Sequence, residues 1–103
     1  MNEGGKLPGE ELVEQGLADL TQGRKTDCAW LVLIANPRLR RLGISITVPD
    51  WPRPYEHQLY ARLEERLGDG AHSHYNSLLR RMASYAQALE QEQSRKAGSG
   101  ADS

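Results

Sequence analysis

Residues 26–48, TDCAWLVLIANPRLRRLGISITV, decide the fold, because their middle reads equally as helix or strand and the flanks must break the tie. Thr26 is a good helix N-cap, and Asn36-Pro37 is a good stop, since a residue before proline avoids the helical region. Between them Ala29 to Ala35 is apolar all round, which suits a buried helix or a buried strand. Length and capping favour the helix. Asn36 then caps a further short helix over PRLRRL. Pro37 takes its first position, Gly43 follows its end, Leu39 and Leu42 face the core, and Arg38, Arg40 and Arg41 face solvent. GISITV alternates, with Ile44, Ile46 and Val48 on one side and Ser45 and Thr47 on the other. Such an edge has three outlets: pairing with WLVLIA, pairing with a second copy of the chain, or an unpaired extended connection packed on the core.

The flanks read as helix. In GEELVEQGLADLTQG (9–23), Leu12, Val13, Gly16, Leu17 and Leu20 share one face, opposite Glu10, Glu11, Glu14 and Asp19. Gly23 stands at the C-cap position. Gly16 within the stripe costs helix propensity, roughly 1 kcal/mol against Ala, which makes sense where another helix comes close. After the proline loop VPDWPRPY, EHQLYARLEERLG (56–68) aligns Leu59, Tyr60, Leu63 and Leu67, with Gly68 as C-cap. HYNSLLRRMASYAQALEQE (74–92) aligns Tyr75, Leu78, Leu79, Met82, Tyr85 or Ala86, and Leu89. The short link GDGAHS forces these two helices adjacent and antiparallel.

The expected fold is therefore mostly α: a bundle of four to five helices ending in a helical hairpin, with one short extended segment at 44–48. The alternative is α+β, with a two-stranded hairpin formed by 30–35 and 44–48. Residues 1–8 read as a flexible N-terminus, 9–93 as one domain, and 94–103 as a disordered tail.

At 103 residues the chain supports one modest core. No stretch has the length and hydropathy of a membrane span, and MNEGGKLPGEE lacks the apolar centre of a secretory signal. The single Cys28 excludes an internal disulfide framework and suits a reducing, cytoplasmic setting. Net charge is −1, unevenly spread. Residues 1–23 hold one basic and five acidic side chains, and residues 24–81 hold ten basic and six acidic. Complementarity between an acidic first helix and a basic middle accounts for this more simply than a polyanion footprint, since nucleic-acid domains are usually far more basic.

Chemistry needs partners that the motifs do not supply. His72 and His74 in a first helical turn stand about 200° apart and cannot share a metal; an extended stretch would put them on one face, with His57, Asp69 or Glu56 to complete a site. Read plainly, the H-x-H step is a helix start capped by Ser73 or Asp69. The free amides there, with His72, Ser73 and His74, form a weak candidate anion site. Cys28 beside Trp30 and Leu31 reads as a small buried hydrophobe rather than a nucleophile. Glu64-Glu65, between Arg62 and Arg66, reads as a salt-bridged face. No phosphate-binding loop, dinucleotide fingerprint, zinc-protease helix or serine elbow occurs, and no cofactor or metal ligand set is implied.

What remains is surface. Ten of the 13 basic residues are arginine, whose forks suit carboxylates and phosphates. Arg38, Arg40, Arg41, Arg80 and Arg81, with Trp51 and Tyr55 of the proline loop, are the candidate partner-binding residues, set against a plain reading as surface arginines and a loop lid folded on its own core. The function expected is binding, as a protein–protein interaction or self-association module, including a homodimer, with no catalytic chemistry. The alternatives are a nucleic-acid-binding helical domain using the arginines on phosphates, and an enzyme or metal protein around His57, His72 and His74.

Overall fold

The structure, a computed structural model, describes the backbone of residues 7–102 and the side chains of residues 7–95. Its elements are α1 (Glu10–Thr21), α2 (Asp27–Arg41), α3 (Tyr55–Leu67), a single 3-10 turn at Gly68–Gly70, and α4 (Ala71–Asp102). No strand occurs among the described residues.

The ambiguous apolar stretch is a helix, with its first five residues buried and Ile34 and Ala35 half-buried. The Thr26 hydroxyl oxygen accepts from the Ala29 amide at 3.2 Å, as an N-cap should. From Ala29 to Leu33 each residue is at most 3% exposed, because α2 lies between α1, α3 and α4. This removes the two-stranded hairpin of 30–35 with 44–48. The expected stop is also corrected, since α2 continues through Pro37 to Arg41 and absorbs the separate helix over PRLRRL. Proline there forfeits the bond to the Leu33 carbonyl, a cost of about 3 kcal/mol in a helix interior. Beyond it Leu39 is fully buried, a gain of about 1.5–3 kcal/mol. The Leu42 amide also donates to the Arg38 and Leu39 carbonyls, and the Ile44 amide to Leu39, closing the helix end.

The acidic helix α1 starts from Gly9, whose φ of 78° is left-handed, while the Leu7 amide donates back to Glu10 Oε1 at 2.8 Å. Val13, Gly16 and Leu20 are buried against α2, with Leu12 and Leu17 at the margin. The glycine in the stripe has the expected reason. A Cβ at Gly16 would meet Val32 Cγ2 at 2.4 Å and the Cys28 carbonyl oxygen at 2.5 Å, so α1 and α2 approach too closely there for any side chain.

Residues 44–48 form an extended connection without a strand partner. Ile44 and Ile46 pack half-buried on the core, Ser45 and Thr47 face outward, and Val48 is 39% exposed. Alternation here records docking on the core. The proline loop that follows, with a cis Arg53–Pro54 peptide bond, folds Trp51 and Tyr55 onto Trp30, at ring-centroid distances of 5.0 and 6.2 Å.

α3 and α4 pack on each other after the tight reversal, which Gly68 opens at φ 56°. Tyr60 meets Tyr75 edge-on at 5.3 Å, and Leu59, Leu63, Leu78, Met82, Tyr85 and Ala86 share the core. Two expected core positions shift outward: Leu67 is 42% exposed and Leu79 is half-buried. α4 also begins earlier than the periodicity suggests, at the fully buried Ala71. At its far end it runs on through residues 94–102, where composition reads as a tail, since an established helix gains one bond per added residue. The flexible start expected at 1–8 falls largely on residues 1–6, outside the described residues.

Candidate functional site

The candidate arginines lie on two helices. Arg38, Arg40 and Arg41 occupy the last turn of α2. Arg80 and Arg81 sit on α4, where Arg81 reaches Glu11 of α1 at 4.0 Å. Arg38 is itself engaged, with Glu90 of α4 at 3.3 Å. Arg40, Arg41, Arg53 and Arg80 make no ion pair among the described residues.

Two of these free arginines flank a groove. Leu33, Ile34, Pro37, Val48 and Tyr55 line a hollow of about 400 Å³ between the second half of α2 and the proline loop, with Arg40, Arg53 and Glu56 at its margin. Asn36 also lines it, with a buried Oδ1 that accepts no hydrogen bond among the described residues. Local sequence explains the hollow. α2 turns its Ile34–Pro37 face toward a loop too stiff to collapse on it, because Pro49, Pro52 and Pro54 restrict the backbone. Tyr55 thus belongs to the groove wall. Trp51 lies half-buried over Trp30 with Lys25 Nζ 5.6 Å from its ring centroid, so it serves as the lid of its own core rather than as an outward contact.

The histidines gather nothing. His72, Ser73 and His74 are exposed in the first turn of α4, and Ser73 does not cap because the helix has already begun. His72 Nε2 lies 3.1 Å from Asn76 Nδ2, a contact along its own helix. The preceding 3-10 turn takes up the Ala71 amide, which donates to the Gly68 carbonyl. His57 is exposed on α3, beside Tyr60 and Tyr75. Among the described residues no group of three His, Cys, Asp or Glu side chains is placed to hold a metal ion.

Two carboxylates, Asp19 and Asp27, tie the first three helices to one another. Asp19 is 2% exposed. Its Oδ2 accepts from the Thr26 hydroxyl at 2.6 Å and its Oδ1 from Gln15 at 3.0 Å, with Arg24 at 3.7 Å. Thr26 therefore links the α1 carboxylate to the α2 cap in one chain of bonds. Asp27 receives both α3 arginines: Arg62 Nε at 3.1 Å, and Arg66 through two nitrogens at 3.2 and 2.9 Å. Arg62 and Arg66 thus bridge to α2 instead of pairing along their own helix. Burial pushes the Asp27 carboxyl up, but the hydrogen bonds and charges of Arg66 and Arg62 outweigh it and hold it below the ordinary carboxylate value. Cys28 lies between these carboxylates. Burial, then the charges of Asp19 and Asp27, push its thiol up against the opposing pull of Arg81, which disfavours the thiolate.

Sequence reasoning missed Asp19 and the groove. The one available signal for Asp19 was its seven-residue spacing from Thr26, which spans the turn after α1. The groove joins residues far apart in the chain and had no local signal. Comparison with protein-family models, with curated proteins and with solved structures finds no match for this chain.

Proposed function

We propose that this is a small cytosolic protein that acts by binding another protein, through the groove between α2 and the proline loop. The observation that carries the reading is that Leu33, Ile34, Pro37 and Val48 line one groove with two guanidinium groups, Arg40 and Arg53, which make no ion pair among the described residues. An apolar pocket orients a side chain, and a free fork beside it selects a carboxylate next to that side chain. The occupant it suits is a protein segment presenting an apolar residue beside Asp or Glu. Support for the setting comes from the single cysteine, Cys28, and from the described helices, none of which is long and apolar enough to cross a membrane.

Paired affinity capture from the native host tests this, using the wild-type chain and an Arg40→Glu/Arg53→Glu variant of unchanged circular dichroism. The expected result is a protein retained by the first and lost by the second. That protein, purified, should bind at least about tenfold more weakly to the variant, a difference of about 1.4 kcal/mol. Equal retention by both would refute the groove as the site. A salt-dependent shift with generic DNA or RNA, lost in the variant, would transfer the arginines to phosphate binding.

A further inference from the structure

We infer that residues 44–48 are a self-pairing edge, through which two copies of the chain join in an antiparallel two-stranded ribbon across a two-fold axis. This goes beyond the groove reading and does not depend on it. The first observation is an unpaired extended backbone. Ile44 donates to the Leu39 carbonyl, but the amides and carbonyls of Ser45, Ile46, Thr47 and Val48 make no hydrogen bond among the described residues. Open space lies beside the first two of them, a hollow of about 340 Å³ lined by Arg40 and by Gly43 to Ile46.

The second observation is that this edge is complementary to itself. Antiparallel pairing centred on Ile46 sets Ile46 opposite Ile46 of the second copy as a close, non-hydrogen-bonded pair. Ser45 then exchanges both backbone bonds with Thr47 of the other copy, and the reciprocal pair repeats them. The outward hydroxyls of Ser45 and Thr47 meet across the ribbon, a favourable cross-strand pair. Val48, the exposed apolar side chain, comes opposite Ile44 of the second copy and loses its water. No charged residue lies within the window. Gly43 and Pro49 bound it on either side, so the register cannot slide far.

The third observation is charge. Just outside the window, Asp50 and Arg41 are both exposed and make no ion pair among the described residues. The same register carries Asp50 of each copy to the α2 end of the other, where Arg41 stands. The occupant is thus a second copy rather than an arbitrary strand, because one set of residues supplies both halves of every contact.

Sedimentation equilibrium of the full chain from about 5 to about 500 µM tests this, a range suited to a small interface. The expected result is an average mass rising from 11.5 kDa toward twice that value. Thr47→Pro, which deletes one paired donor per copy in an already extended segment, should remain at the lower mass with unchanged circular dichroism. Asp50→Lys gives an independent arm in an exposed residue. It should weaken association by roughly tenfold, and adding Arg41→Glu should restore it. A wild-type monomer throughout would overturn the inference, and so would a dimer untouched by both variants.

Discussion

Gly16→Ala adds one methyl group at the tightest point of the fold, and its sign separates two physical effects. In an exposed helix the change stabilises by about 1 kcal/mol through propensity alone. Here the new carbon would lie 2.4 Å from Val32 Cγ2, 2.5 Å from the Cys28 carbonyl oxygen and 3.0 Å from its carbon. Ordinary carbon contacts lie near 3.5–4.0 Å, so α1 and α2 must separate locally by about 1 Å. Val32 is fully buried in a helix, where valine strongly prefers one rotamer, and the Cys28 oxygen belongs to a helix backbone and cannot rotate away. Overpacking of this kind costs about 1–3 kcal/mol, and contact with backbone places it at the upper end. After subtracting the propensity gain, the net loss is about 2 kcal/mol. For a domain of this size it corresponds to a Tm lower by roughly 8–16 °C. Thermal and urea melts followed at 222 nm read it directly. Ala18→Gly on the exposed face of the same helix serves as the propensity control and should lose about 1 kcal/mol. Adding Val32→Ala to Gly16→Ala relieves one clash and leaves the other, so the double variant should remain less stable than Val32→Ala alone. A Gly16→Ala protein as stable as wild type, or more so, would refute the close approach.

Leu63→Ala should cost about 2–5 kcal/mol in urea melts, because Leu63 is fully buried, whereas Leu67→Ala, four residues on and 42% exposed, should stay within about 0.5 kcal/mol. Thr26→Ala removes the α2 cap and strips the buried Asp19 of its hydroxyl donor, a combined loss of about 1–3 kcal/mol in the same assay. The folded value of Asp27 lies below its unfolded one, so its contribution is present above the ordinary aspartate value of about 3.9 and is lost as pH falls through the folded value. In melts from pH 6 to about pH 2 the gap between wild type and Asp27→Asn should therefore close in acid. A gap that widens on acidification would reverse the assignment.

Much of the helical frame was legible because its signals were local. The stripe Val13–Gly16–Leu20, the Thr26 cap, the Gly68 stop and the short GDGAHS link each follow from spacing alone. Pro37 misled because a residue before proline usually leaves the helical region, so Leu39 was expected at the core on a separate helix, whereas it is buried as part of an uninterrupted α2. Residues 44–48 kept three readings open, since alternation reports a covered side and not what covers it. Asp19 looked solvated on a helix diagram. Its burial depends on Thr26 and Gln15 converging on it, the first from across a turn that the diagram does not show. The arginines were legible as a composition, but the engagement of Arg38 by Glu90 and of Arg81 by Glu11 came only from the fold. So did the placing of Arg40 and Arg53 on one groove, where they make no ion pair among the described residues.

WLVLIA is helical, which leaves ISITV without a strand partner among the described residues. Amide exchange of the full chain, resolved residue by residue in dilute solution, tests that claim most directly. The expected pattern is slow exchange from Leu31 to Leu33, near the global unfolding limit, with helical sequential amide contacts, and fast exchange at Ser45, Ile46 and Thr47. Slow exchange at Ser45 to Thr47 under those conditions, with cross-strand contacts to residues 30–35, would contradict it.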